Sequence, residues 1–142
     1  MYKLDSNFLN YILGGNSEFT VLNKNTNNRL TFKVKKLKKE DTKAGREDLW
    51  FVNVLSGPNN ERNYIYIGTI VKERFIHTKG SKVKEDSVSF RAFKWIYDYL
   101  KVYGDLPDFI EIYHVGKCAK CGRKLTTPDS ISEGMGPVCA KF

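Results

Sequence analysis

Glu18-Phe-Thr-Val-Leu-Asn-Lys-Asn-Thr-Asn-Asn-Arg-Leu-Thr-Phe-Lys-Val-Lys35 decides the fold class of this 142-residue chain. Glu18 to Leu22 and Leu30 to Lys35 alternate apolar and polar residues in period two, the signature of strands with one buried face. Between them Asn25-Thr26-Asn27-Asn28 supplies asparagines, which tolerate the left-handed backbone that a hairpin turn requires. The second strand is expected to turn Leu30, Phe32 and Val34 toward a core and Thr31, Lys33 and Lys35 away from it. Lysine is thereby presented outward from a rigid element.

The same pattern continues downstream. Leu49 to Leu55 and Asn63 to Val71 are apolar runs separated by Ser56-Gly57-Pro58-Asn59-Asn60, which reads as a second hairpin. Tyr64, Tyr66 and Gly68 alternate with Ile65, Ile67 and Thr69, and Arg74 to His77 extends the strand series. Tyr64, Tyr66 and Trp50 are expected mainly to fill the core, the alternative being exposed rings that stack on bases. Upstream, Phe8, Leu9, Tyr11 and Ile12 before Gly14-Gly15 read as a short amphipathic helix with a glycine stop.

Ser87 to Tyr103 carries Phe93, Ile96, Leu100 and Tyr103 at helical spacing, with Arg91, Lys94, Asp98 and Lys101 on another face. Asp86 or Ser87 caps its start and Gly104 its end. Phe109 to Tyr113 reads as a strand leading to His114. The expected fold is α+β: an antiparallel sheet of about five strands with one long helix, residues 1–112, and a C-terminal zinc knuckle or ribbon module, residues 113–142.

That module uses every cysteine of the chain, with His114, Cys118, Cys121 and Cys139 spaced H-x3-C-x2-C-x17-C. A C-x2-C pair on one tight turn directs two thiolates at one tetrahedral ion, and a distant cysteine and a histidine complete the shell. Four protein ligands leave no place for water, so the expected role of Zn2+ is structural. Asp129 or Glu111 are the alternatives to His114 as fourth ligand. Gly122, directly after the second cysteine, permits backbone N–H groups to point back at thiolate sulfur. Asp129 or Ser130 is placed to start one helical turn, and Gly134-Met-Gly136-Pro137 folds the chain back to Cys139.

The net charge of +8 is unevenly distributed. Residues 24–46 hold nine basic side chains against Glu40 and Asp41, a local +7; residues 117–142 hold five against two, a local +3. Residues 37–48 read as a charged, mobile loop. Lys33, Lys35, Lys36, Lys38, Lys39, Lys43 and Arg46, with Lys120, Arg123 and Lys124 of the module, are the expected contacts to DNA or RNA, or else to a protein partner. The competing reading of these lysines is a solvated face.

No window approaches an apolar membrane span, and Met1 to Asp5 has no signal-peptide core, so the expected location is the cytoplasm, with no membrane partner. G-x-S-x-G, H-E-x-x-H, P-loop and zinc-deaminase patterns are absent, and no enzymatic activity is expected.

The run His114-Val-Gly-Lys-Cys-Ala-Lys-Cys-Gly-Arg-Lys-Leu-Thr-Thr-Pro-Asp-Ser-Ile-Ser-Glu-Gly-Met-Gly-Pro-Val-Cys139 resembles a short zinc module common in uncharacterised proteins of phages and mobile elements, of pattern H-x-G-x-C-x-x-C-G-R-x-L-T-x-P-x-S-x-x-x-G-x-G-P-x-C. Trp50 to Gly68 is similar to a segment that often precedes it. The resemblance implies a zinc fold and a phage or mobile-element origin, with the host cytoplasm as location, and brings no reaction or partner with it. Together these readings predict a zinc-stabilised nucleic-acid-binding accessory protein. The alternative is a phage-encoded, anti-CRISPR-like inhibitor of a host defence protein acting by protein–protein binding.

Overall fold

The computed structural model describes residues 1–38, 48–58 and 63–139. Ten elements follow in order: β1 (Tyr2–Leu4), α1 (Phe8–Ile12), β2 (Asn16–Asn23), β3 (Asn28–Lys36), β4 (Leu49–Leu55), β5 (Tyr64–Val71), β6 (Arg74–Ile76), α2 (Val88–Tyr103), β7 (Ile110–His114) and α3 (Pro128–Glu133). The architecture is α+β, with one sheet of seven strands in the order β1-β7-β2-β3-β4-β5-β6. All six neighbouring pairs run antiparallel. Seven strands replace the expected five or so: β6 falls within Arg74 to His77, which extends the strand series in the sequence, and the strand not expected is β1, whose three residues are too short to carry a period of their own. The helical part is likewise three helices of 5, 16 and 6 residues in place of one long helix.

The β2–β3 hairpin forms as its alternation dictates. Phe19 pairs with Phe32 and Val21 with Leu30, and Asn27 takes the left-handed conformation in the turn at φ 59°. Phe32 and Val34 are fully buried while Lys35 points to solvent. Beneath this face lies α2, started by Ser87, whose side chain accepts from the N–H of Phe90, and stopped by left-handed Gly104. Its Phe90, Phe93, Ile96, Tyr97 and Leu100 are buried. Phe93 meets Phe32 with ring centroids 5.2 Å apart, and Phe75 of β6 sits 4.7 Å from both Phe90 and Phe93. Gly68 makes room for that ring, since a Cβ there would lie 2.7 Å from Phe75 Cε1. Tyr103, expected on the core side, lies instead on the exposed flank, its ring centroid 4.5 Å from that of Tyr99 and tilted by 44°.

The opposite face of the sheet carries Thr20, Thr31, Lys33, Phe51, Asn53, Tyr64 and Tyr66, all half-exposed. An irregularity between Val52 and Asn53 shifts the β4–β5 register, so Asn53 pairs with Tyr66 but Val52 with Gly68. Simple alternation would group Tyr66 with Gly68. The shift instead brings Thr69 to the Tyr66 side, where their hydroxyls hydrogen-bond. Trp50 goes the other way, packing against the core with its indole N–H donating to the carbonyl of Leu13 at 3.0 Å.

The expected division at 112/113 falls inside β7, which pairs on one side with β1 and on the other with β2. Cys118, Ala119, Leu125 and Met135 from the C-terminal segment belong to the same buried cluster as the sheet residues.

Candidate metal centre and basic cavity

Strand β7 carries Ile110, Ile112 and His114 toward the core, then hands the chain to a tight turn. That turn is closed by Cys118 N–H to Arg123 C=O at 2.8 Å and Gly122 N–H to Cys118 C=O at 2.9 Å, with Lys117 bridged to Lys124. It is tied to the sheet at Asn16, whose backbone N–H donates to Ala119 C=O at 2.6 Å and whose side-chain amide donates to Lys120 C=O at 2.8 Å. Helix α3 starts at Thr127, not at Asp129 or Ser130: the Thr127 hydroxyl accepts from the Ser130 N–H, and Pro128 occupies the first turn, where a missing N–H costs nothing. Gly134 ends it at φ 71° against the ring of Tyr11.

This path brings the sulfurs of Cys118, Cys121 and Cys139 within 4.8 Å of one another. Three thiolates about 2.3 Å from a tetrahedral ion would lie about 3.8 Å apart, so small side-chain movements close the set on a metal. Cys118 is buried, Cys139 half-buried and Cys121 exposed. Burial pushes the Cys118 thiol up, but N–H groups of Cys121, Gly136 and Lys120 and the Cys121 side chain outweigh it and bring it down to about 7. The N–H groups of Lys120 and Gly136 stand 3.4 and 3.5 Å from its sulfur. Cys139 is pushed up to about 11, first by its hydrogen bond with Cys121, then by burial and by Cys118. The inward-pointing N–H groups thus favour the charged form within a set of sulfurs that titrate together. The donor set and the inward-pointing N–H groups fit a bound metal ion.

His114, expected as the fourth ligand, is not part of this group. Its ring is fully buried and both nitrogens are occupied: Nδ1 accepts from the Gly116 N–H at 3.0 Å, and Nε2–H donates to the Ile131 carbonyl at 2.7 Å. Burial lowers its pKa, the Ile131 carbonyl opposes that, and the N-terminal charge adds to it, so the ring is neutral in this tautomer. The oxygen alternatives also lie outside the group of sulfurs. Glu111 instead pairs with Lys3 at 3.1 Å and accepts from the Tyr113 hydroxyl at 3.0 Å.

Of the basic residues expected to act together, Lys33 and Lys35 share a cavity of about 280 Å3 with Lys117, Asn16, Glu18, Cys121 and Gly122. Lys33 also sits 4.3 Å over the ring of Tyr64. Lys36 is turned away, 3.3 Å from Asp48 and 5.2 Å over Trp50. Lys38, Lys120, Arg123 and Lys124 are exposed, and Lys120 lines a separate cavity with Cys139. Lys39, Lys43, Arg46 and most of the loop assigned to 37–48 lie outside the described residues. Lys117 and Asn16 were not among the expected contacts; period-two reading says nothing about which distant loop meets a strand end.

Residues 111–141 match the profile of a family of unknown function, DUF6011. No curated protein and no solved structure matches the chain. The DUF6011 segment begins within β7 and contains His114 and all three cysteines, so the likeness covers the cysteine cluster and the core histidine beside it. Among the described residues, no helix is long and apolar enough to cross a membrane.

Proposed function

We propose that this chain is a nucleic-acid-binding accessory protein of a phage or mobile element, stabilised by Zn2+ on Cys118, Cys121 and Cys139, with the fourth coordination position taken by a ligand outside these three sulfurs. One observation carries the binding reading: Lys33 and Lys35, from the N-terminal basic segment, line the same cavity as Lys117, from the C-terminal one. Lysines more than eighty residues apart in sequence thereby supply charge to one place, which is what a phosphate backbone needs and a merely solvated face does not. Zinc is the metal favoured by a thiolate cluster on a C-x2-C turn. The accessory role assigns no catalysis to the chain, and its setting is the cytoplasm of a host.

The test is fluorescence anisotropy with labelled DNA and RNA over a salt series, on zinc-loaded protein. Each neutralised phosphate adds about −0.7 to −0.9 to the log–log slope. Changing Lys33, Lys35 and Lys117 together to Gln is expected to weaken binding and flatten the slope by about two; unchanged affinity in the folded triple variant sinks this site.

A second reading is favoured by a different observation. Val88, Trp95, Val102 and Tyr103 are exposed on α2, beside an apolar cavity of about 480 Å3 lined by Val21, Leu30, Trp95, Ile96 and Phe109. Exposed apolar surface of this kind suits a protein partner, as an inhibitor of a host defence protein requires. Stoichiometric recovery of one host protein after nuclease treatment, lost on Trp95→Glu, would support it.

A further inference from the structure

The open face of the sheet beside the basic cavity carries aromatic rings whose spacing bears on what form of nucleic acid fits there. Tyr64 and Tyr66 project from the same side of β5, two residues apart, with Phe51 6.0 Å from Tyr66 in an edge-on arrangement. Both phenols are anchored. The Tyr64 hydroxyl donates to Glu18 Oε1 at 2.8 Å, and the Tyr66 hydroxyl is shared with Thr69 and, at 2.9 Å, with Thr78. Rings held this way have already lost much of the rotamer freedom that stacking would otherwise cost.

Their attachment points on β5 lie about 6.6 Å apart, and the hydroxyls reach in opposite directions, one to Glu18 of β2 and the other to Thr78 beyond β6, so the rings diverge from there. The rise per base along one strand of a duplex is about 3.4 Å. Consecutive bases stacked on Tyr64 and Tyr66 must therefore be drawn apart from each other, which a single strand accommodates and a paired one resists. The platform also runs into the cavity: Glu18 pairs with Lys33 across β2–β3, Lys33 with Asn53 across β3–β4, and Asn53 with Tyr66 across β4–β5. Glu18 lies in the cavity wall, but it is engaged by Tyr64 and opposed by Lys33, leaving Lys35 and Lys117 as the cations for an incoming anion.

We infer that this face takes a single-stranded nucleic acid, DNA or RNA, with unpaired bases stacked on Tyr66 and on the face of Tyr64 that Lys33 does not cover, and the adjoining phosphate in the Lys35–Lys117 cavity. The inference rests on the nucleic-acid reading above and adds to it the strand form and the polarity of the path, from aromatic platform to basic cavity. A base read this way is held by its π-face, so the expected sequence preference is weak.

The experiment uses the full zinc-loaded chain and three labelled 12-mers, an oligo-dT, an oligo-rU and a mixed-sequence duplex, in anisotropy titrations at low and moderate salt. The single strands are expected to bind at least tenfold tighter than the duplex. Tyr66→Leu should weaken single-strand binding about 5- to 100-fold, the range of one lost aromatic stack, with the salt slope and duplex binding unchanged. Tyr64→Phe, which keeps the ring and loses only the bond to Glu18, should stay within about threefold of wild type, and a thermal melt reports that each variant is folded. Lys117→Gln should reduce the slope by about 0.7. A duplex bound as tightly as the single strands, or a folded Tyr66→Leu that binds them normally, overturns this inference and leaves the broader reading standing. No binding of any probe at low salt removes both.

Discussion

His114 separates two accounts of the C-terminal segment, and replacing it with Asn tests which holds. In the structure its imidazole bridges Gly116 N–H and Ile131 C=O inside the core, with the rings of Tyr11 and Tyr2 at 5.6 and 6.0 Å. Asn retains an acceptor near the position of Nδ1 but cannot reach Ile131, leaving one buried carbonyl without its donor. Such a loss costs about 1–3 kcal/mol, or roughly 4–12 °C in Tm for a domain of this size. His114→Leu orphans both backbone groups, about 2–6 kcal/mol, a large fraction of a typical total of about 5–15 kcal/mol. Metal binding should respond differently. Cobalt(II) loaded in place of zinc should give the same ligand-field bands in wild type and in folded His114→Asn, since no ligand is exchanged. The ring also sets a pH dependence. Its folded pKa lies below the unfolded value of about 6.5, so protonation favours the unfolded chain. Stability from this group is present above about pH 6.5 and declines as pH falls toward the depressed folded value, and His114→Asn should remove that part of the slope in urea titrations at saturating zinc. A shifted cobalt spectrum in the folded variant would refute the core assignment and restore His114 as a ligand.

Cys121 is exposed and buries little, so Cys121→Ser should destabilise the chain only through the metal: its Tm should be insensitive to a chelator that lowers the wild-type Tm. Gly134→Ala should be costly, because φ is 71° and the new Cβ would fall 2.3 Å from Tyr11 Cδ2; the left-handed term is about 1–2 kcal/mol and the overpacking about 1–3 kcal/mol, both readable in a urea midpoint. Phe75→Ala should lose about 3–5 kcal/mol by emptying the space between Phe90 and Phe93, with α2 helicity reporting the loss by circular dichroism.

The hairpin around Asn25 to Asn28 and the helix from Ser87 to Gly104 were legible because local rules and tertiary packing agree there: alternation, a left-handed asparagine, a serine cap, a glycine stop. The Lys72-Glu73 turn was not. Both residues take positive φ, 52° and 63°, between strands that pair from Val71 to Arg74, yet neither is the Asn or Gly that usually marks such a turn. The placement of β7 between β1 and β2 was hidden for another reason, since partner choice among strands is a long-range property. His114 is the instructive case. Its spacing from Cys118 suits a metal ligand, but its parity with Ile110 and Ile112 already put it on the buried face of β7, and pairing with Tyr2 and Phe19 on either side enforces that.

The position of β7 also explains why the cysteine cluster and a basic cavity adjoin. Inserting the last strand next to β2 delivers the Cys118–Cys121 turn to the end of the β2–β3 hairpin, where Asn16 holds it by backbone and side chain. Lys117, one residue before Cys118, then lines the same cavity as Lys33 and Lys35, and Cys121 with Gly122 forms part of its wall. A structural ion on the three sulfurs would fix that wall. Charge carried by two separate parts of the sequence comes together at this turn, so on the proposed nucleic-acid reading the cysteines would bear on binding by setting where Lys117 stands, without touching the polyanion themselves.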